Sequence, residues 1–530
     1  MSKKINIFLI PLFIYSIYCS LQLGFTWDVL FHYELGKDRL DYLFSFGSNE
    51  LDEKITVRKF YTGAYSTISA FFVQFLPQKY NLEAIYFVNL IFSTLAIFGI
   101  YKVTKEFFNK QIGKITFIFC FFNPIFFGHM SINSTDTIIA FANIWCFYKV
   151  IKYLKYQQES KKKSKCVLLL GLIIGLGLGV RYTFIITLLP IFLFIILEIF
   201  YFKIYINNNF SKKIFLIDLL IVQVIAYLTM VLFWPHTHVN IFLEPFKLAI
   251  ESLSFGFGAP LILFNGETYL TTEIPKNYIF VNLFYKLPEF IIFGLITFFI
   301  LFKKIQFFFK DKIKGFNFKM LILVTIVLFP NALLWANPYG VYDGFRLFIY
   351  LLPFISIIPA VLLCYLLKNI MAKLNKFVLT TLIILQVFFL FNFISITPYH
   401  YVYLNIFAGS YSEHSQKFEN DYWGVSTKEL IKSINNNTKI FSSEKVKIAT
   451  CGVEKNAQKT YLRKIKKIRF KVVDVNEEFD YIIMNNRVIW ENNPDKSNIK
   501  RRQTCFQKYI GEDLIKVEKR GLVLSKITKI

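Results

Sequence analysis

Acidic side chains are scarce in this 530-residue chain, where 35 Asp and Glu stand against 61 Lys and Arg. Histidine is rarer still, at 6, and His129, His236 and His238 lack an HExxH-type spacing, which excludes a zinc hydrolase of that design. The 7 cysteines are scattered with no CxxC, which excludes a thioredoxin-type redox site. No Walker motif and no GxSxG elbow occurs, so P-loop NTPases and α/β-hydrolases are excluded as well. There are no internal repeats and no low-complexity linker. No A-x-A-like site follows the first apolar run, INIFLIPLFIYSIYCSL, so that run reads as an uncleaved first helix rather than a signal peptide.

Apolar residues fill the space that these absences leave. They make up 55% of the chain, with 19% aromatic, whereas a soluble domain has about 45–50% apolar residues. Runs near 5–23, 83–103, 113–130, 136–154, 213–234, 286–303, 318–336, 347–367 and 376–396 approach the roughly 18–22 residues that cross a bilayer. The longer run 166–202 is broken at Arg181-Tyr182 and supplies two more. The expected architecture is a mainly α, polytopic membrane protein with about 11 transmembrane helices. Cys19, Cys120, Cys146, Cys166 and Cys364 fall in or beside these runs, where a free thiol is a small apolar side chain.

Lysine gives the orientation. With the N-terminus in the cytoplasm, the basic loops at Lys102 to Lys114, Lys161 to Lys165, Lys203 to Lys213, Lys303 to Lys314 and Lys368 to Lys376 all face inward. This requires that 61–77 does not cross. Its apolar residues are interleaved with Thr62, Ser66, Thr67, Ser69 and Gln74, the pattern of a helix lying at the interface. The formal net charge of +26 is then explained by cytoplasmic lysine and anionic lipid, and no nucleic-acid partner is expected.

The division is 1–396 for the membrane part, with outer loops at 24–82 and 235–285, and 397–530 for a polar tail. In the tail KVKIATCG, IRFKVVDV, FDYIIMNN and GLVLSKI read as strands, with a helix around KTYLRKIKK, so a small α/β domain is expected outside the membrane. Cys451 and Cys505 lie in this tail and are able to pair if it sits in an oxidising compartment.

The few acids of the membrane part gather at span boundaries on the outer side. GFTWDVLFHYELGKDRLDYL, 24–43, carries Asp28, His32, Glu34, Asp38 and Asp41; HMSINSTDT carries Asp136; NPYGVYDGFRLF carries Asp343 and Arg346; the large outer loop carries Glu267 and Lys276. Ionisable groups at membrane depth are functional candidates. Each has a plainer reading. Asp28 or Thr26 suits a helix N-cap, as does Asp136; Asp343 and Arg346 suit a surface ion pair; a lone His32 suits an ordinary hydrogen bond. The glycines of GLIIGLGLG read as close helix packing. Asp218 fits none of these patterns.

Taken in order, TWDVLFHY, HMSINSTDT, FWPHTHVNIFLEPFKLAIESLSF with LFNGETYLTTEIPKNYIFVNLFYKLP, YDGFRLFIYLLP, and TPYHYVYLNIFAGS with FENDYWGVSTKEL resemble the GT-C membrane glycosyltransferases. The likeness is to the bacterial branch similar to protein O-mannosyltransferases and aminoarabinose transferases. Val29 stands where those enzymes often have Glu after the first Asp.

The resemblance implies a GT-C fold with outer interfacial helices in a bacterial-type inner membrane. It implies a sugar donor on polyprenyl phosphate and a lipid, polysaccharide or protein acceptor, as in protein glycosylation or lipopolysaccharide modification. Asp28 is expected as the base in an inverting transfer, with Asp136 the second catalytic acid. Arg181 and Arg346 are expected on the phosphate, with His32 and Asp343 also in the binding site and Glu267 and Lys276 over the substrates. A divalent Mg or Mn held by Asp28 and Asp136 is a further expectation. A transporter or flippase of a lipid-linked glycan is the competing reading, although paired halves are absent, and a non-enzymatic scaffold is the third.

Overall fold

The ends of the helices are set by local chemistry visible in the chain. In the computed structural model, the run 113–130 divides at Asn123-Pro124 into helices Lys110–Phe121 and Pro124–His129. Proline disfavours helical geometry in the residue before it, and Asn123 is extended, its side chain accepting the Phe126 N–H at 3.1 Å. The break at Arg181 has the same character: helix Ser160–Val180 ends there with Arg181 extended, and the next helix begins at Phe184. The structure describes residues 3–49, 51, 56–253, 261–337, 339–369, 376–437, 441, 445–466, 468–489, 499 and 502–530.

Each of the expected spans is helical over most of its length. Among the described residues, however, 7 helices are long and apolar enough to cross a membrane, or 8 if the pair Tyr278–Lys286 and Glu289–Ile300, bent by 115°, is one span. The difference from about eleven arises at the Asn123-Pro124 break, at this bend, and in the first and last runs. There the helices Lys3–Gln22 and Lys376–Ser395 are 20 residues each, of which the stretches Ile10–Gln22 and Gln386–Ser395 are described with their side chains. The segment 61–77 holds helix Ala64–Val73, 10 residues long, about 15 Å and half of a bilayer core.

Close helix packing follows from the glycines of GLIIGLGLG. A Cβ on Gly171 would lie 2.5 Å from Ile225 Cβ, and one on Gly175 would lie 2.4 Å from Thr229 Cβ. Both contacts are with helix Lys212–Leu232, so the small-residue spacing lets two backbones approach. Asp218 on that helix is buried, accepting from Tyr153 at 2.8 Å and pairing with Lys163 at 3.3 Å.

The tail forms a mixed sheet from β3 (Lys445–Cys451), β4 (Arg469–Val472), β5 (Tyr481–Met484), β6 (Glu512–Lys519) and β7 (Leu522–Lys529), in the order β4-β3-β5-β7-β6. Strands β1 (Leu261–Phe264) and β2 (Glu267–Leu270) make a separate hairpin. β3 runs parallel to β4 and β5, and helix Lys455–Leu462 provides the crossover to β4, as parallel pairing requires. β6, EDLIKVEK, is the charged edge strand, a composition that discourages edge-to-edge association. One apolar core joins this sheet to the helical body: Leu23, Val29, Tyr86 and Ile132 pack with Tyr401, Trp423, Val425, Ile448 and Ile483. Cys451 and Cys505 form a disulfide.

Candidate active site

Four chain segments meet at one end of the helical body. Asp28 follows helix Lys3–Gln22 and a short strap, Asp136 opens helix Asp136–Tyr156, Arg181 closes helix Ser160–Val180, and Asp343 and Arg346 precede helix Leu351–Ile355. The strap is tied down at Gly24, whose N–H donates to Val425 O at 3.0 Å and whose carbonyl accepts from Tyr86 at 2.6 Å. A side chain at Gly24 would sit 2.7 Å from Val425 O. Phe25 N–H donates to Tyr461 at 2.8 Å. Tail residues therefore fix the approach to Asp28.

Arg346 is the hub. Its Nη2 donates to Asp28 at 2.5 Å, its Nε to Asp136 at 3.1 Å and its Nη1 to Asp343 at 3.0 Å. Each nitrogen thus bonds a different carboxylate, an arrangement that the planar guanidinium with its fixed donors holds apart in one plane. Trp423 stacks beneath it, 4.0 Å from its ring centre, and is oriented by His129, which accepts from the indole at 3.4 Å and bonds Tyr422 at 2.8 Å. Two more arginines extend the chain of charges: Arg181 to Asp136 and Arg487 to Asp343, both at 3.1 Å.

This geometry decides between the readings of each acid. Thr26, not Asp28, caps helix Val29–Phe44, accepting the Val29 N–H at 3.1 Å, while Asp28 makes no capping bond. Asn133 takes the capping role before Asp136, accepting the Asp136 N–H at 2.9 Å and donating to its carboxylate at 3.0 Å. Asp343 and Arg346 are buried rather than on the surface. Asp343 has φ of 54° and is followed by Gly344 at 65°, a left-handed pair that short polar residues and glycine tolerate.

The three carboxylates differ in access. The side chains of Asp136 and Asp343 are 4% exposed, and both oxygens of each are bonded to arginine. Asp28 keeps 37% of its side chain open, and its Oδ1 bonds nothing among the described residues. Burial works to raise the Asp28 carboxyl, but Arg346, by charge and hydrogen bond, together with His32 and Arg487 outweighs it and holds the group below the usual carboxylate range. His32 lies beside it, bonded to Ser66 at 3.2 Å, and burial pushes its ring down to about 4. It is therefore neutral near pH 7.

Two of the remaining acids of 24–43 have other work: Glu34 pairs with Arg58 at 3.2 Å, and Asp38 also pairs with Arg58. Glu267 is exposed on β2 and accepts from Tyr269 at 2.6 Å, and Lys276 is exposed, its carbonyl accepting from Trp335 at 2.7 Å. Both stand outside the arginine network. Among the described residues no three His, Cys, Asp or Glu side chains converge on a metal position. Arg346 fills the place between Asp28 and Asp136, and both Asp136 oxygens are spent, so this donor set does not fit the expected divalent ion.

Sequence reading missed Arg487, Trp423 and Glu419. Glu419 is buried, its carboxylate accepting the Val488 N–H at 2.9 Å, and burial pushes it up to about 7 despite the opposing pull of Arg487. The only signals were the FENDYWGV and MNNRV strings, which identify no chemistry until the tail folds back.

Fold and site together define a mainly helical protein, with helices long and apolar enough to cross a membrane, a small mixed sheet, and an arginine–aspartate network at one end of the helical body. Residues 67–234 match the family of dolichyl-phosphate-mannose-protein mannosyltransferases. ArnT from Cupriavidus metallidurans, in the apo state, has a similar fold, with a TM-score of 0.50 at 8% identity, covering 99% of this chain and 98% of that one. The oligosaccharyltransferase of Archaeoglobus fulgidus with Zn and sulfate gives a TM-score of 0.46 at 9% identity over 89% of this chain and 68% of that one. No sequence among the curated proteins matches it.

Proposed function

We propose that the protein is an integral membrane glycosyltransferase that moves a sugar from polyprenyl phosphate to an acceptor hydroxyl on the extracytoplasmic face, with inversion. Asp28 is the base. The observation that carries this reading is its asymmetry with its neighbours: three aspartates share one arginine, and of the three Asp28 alone retains exposure and an oxygen unbonded among the described residues. A general base needs both, since it must reach the hydroxyl proton it removes. The match of residues 67–234 to a family named for a lipid-phosphate sugar supports the donor class.

In the reaction the acceptor oxygen attacks the anomeric carbon, Asp28 takes the hydroxyl proton, and the bond from that carbon to the phosphate oxygen breaks. The departing lipid phosphate carries the electron pair and needs fixed positive charge. Arg181 suits this role better than Arg346, because 34% of its side chain is exposed, whereas that of Arg346 is 7% exposed and bonded to three carboxylates. Asp136 and Asp343 hold Arg346, and through it Asp28, in place.

The N-terminus is cytoplasmic and the sheet of 445–529 extracytoplasmic in this reading, which the disulfide supports, since such bonds persist in oxidising compartments. The test is transfer of radiolabelled sugar in membranes containing the protein, read by mass spectrometry of envelope glycolipids and glycoproteins with and without the gene. A glycan missing without the gene and restored by wild type, but not by Asp28→Asn, is expected. Restoration by Asp28→Asn overturns the assignment of the base.

A further inference from the structure

The C-terminal sheet contributes a charge to the site described above. Arg487 leaves the carboxyl end of β5 three residues after Met484 and crosses to the helical body, its Nη1 donating to Tyr422 O at 2.7 Å and its Nη2 to Asp343 at 3.1 Å. Its guanidinium stands 5.6 Å from the ring centre of Trp27, the residue before Asp28. Two of its five N–H donors are used in these bonds, so a fork remains for another acceptor.

The charges around it leave room for an anion. Arg181, Arg346 and Arg487 balance Asp28, Asp136 and Asp343. Lys286 adds a cation that makes no ion pair among the described residues and lies over the rings of Phe418 and Tyr422 at 5.6 and 6.0 Å. Glu419 is a further carboxylate at this end of the network; it accepts the Val488 N–H, and burial shifts it toward its neutral form.

The backbone of Arg487 is clamped on both sides. Its N–H donates to Asn485 Oδ1 at 3.1 Å, and Asn485 in turn donates to Asp421 O at 2.7 Å. Its carbonyl accepts the Cys505 N–H at 2.9 Å. Cys505 is held by its disulfide to Cys451, at the carboxyl end of β3, and Cys451 O accepts the Asn485 N–H at 3.3 Å. Gly452, next in the chain, has φ of 72° and packs so closely that a Cβ would lie 2.0 Å from Asn485 Oδ1 and 3.1 Å from Arg487 Cβ. The cross-link therefore closes a ring of hydrogen bonds around the residue that reaches the site.

We propose that Arg487 binds the phosphate of the lipid donor opposite Arg181, and that the Cys451–Cys505 disulfide positions it. This rests on the function proposed above. It makes the C-terminal sheet part of the donor site rather than an appendage, and it ties donor binding to formation of a cross-link that the two cysteines complete after the chain reaches an oxidising compartment.

The experiment uses the full chain in nanodiscs and measures the Kd for undecaprenyl phosphate together with Tm. Arg487→Gln is expected to weaken binding at least tenfold, and Arg487→Lys to recover part of it. Cys451→Ser with Cys505→Ser, assayed well below its own Tm, is expected to weaken binding similarly, and to add nothing in an Arg487→Gln background. The inference is overturned if the serine pair lowers Tm and leaves Kd unchanged, or if its effect persists when Arg487 is already gone. Should the serine pair not fold, Asn485→Ala tests the same clamp by the same two readouts. Wild-type protein that binds no undecaprenyl phosphate would instead overturn the donor class, whereas tight wild-type binding matched by Arg487→Gln overturns the present inference alone.

Discussion

Arg346 Nη2 lies 2.5 Å from Asp28 Oδ2 while Asp28 Oδ1 bonds nothing among the described residues, so the arginine fixes the carboxylate through one oxygen and leaves the other for chemistry. Replacing Asp28 with Asn keeps the size and the arginine-facing oxygen but removes the capacity to accept a proton. Asp28→Asn is expected to lower kcat by about 10²–10⁴-fold while undecaprenyl phosphate still binds. The check is single-turnover transfer alongside equilibrium binding of the lipid; a fall in both together contradicts the role of base.

Arg346→Met tests the hub. Removing one member of a buried charge network leaves its partners uncompensated, which costs about 3–5 kcal/mol. The variant is expected to melt earlier and to lose activity. Adding Asp136→Asn to it should return part of the lost stability, because one of the stranded charges is then gone. Thermal unfolding of the single and double variants measures that coupling.

Arg181→Gln separates binding from chemistry. A charge-assisted hydrogen bond contributes about 1.5–3 kcal/mol, so the donor KM should rise roughly 10- to 100-fold. Stability should change little, since Asp136 keeps Arg346 and Asn133. Steady-state kinetics over a series of donor concentrations provide the check.

How much of this was legible in the sequence depended on the range of the interactions. Apolar runs, Pro124 and the broken run at Arg181 act within a few residues, and the helices follow them closely. The acids at span ends were visible for the same reason, since charge is expensive inside a bilayer. Their convergence on Arg346 was legible only as a shared side of the membrane. Arg487 was not legible at all: 144 residues separate it from Asp343, and the path between them passes through a sheet whose register no local pattern specifies. The β1–β2 hairpin was a local signal overlooked. Asn265 and Gly266, both at positive φ, are the Asn-Gly pair that a two-residue hairpin turn favours.

Gly175→Val tests the helix contact. Its Cβ would lie 2.4 Å from Thr229 Cβ and 2.8 Å from Ala226 O, so the two helices must separate. Overpacking of this kind costs about 1–3 kcal/mol. The variant should show a lower Tm in detergent, while Gly340→Ala, where a Cβ meets nothing within 4 Å, should show almost none of that loss.

Glu419 gives the protein a pH dependence of defined sign. Its folded-state value is about 7 against an ordinary 4.5, so between those values the folded chain holds a proton that the unfolded chain has released. Stability from this group is complete below about pH 4.5 and is lost as pH rises through 7, on the order of 3 kcal/mol in all at 1.36 kcal/mol per unit. Asp421, raised by burial to about 6, acts in the same direction, so the wild-type curve alone does not isolate Glu419. The difference between wild type and Glu419→Gln does. The two should be of similar stability near pH 5, with the variant the more stable at pH 8, as unfolding curves at the two pH values will show; parallel curves would remove Glu419 as the titrating group.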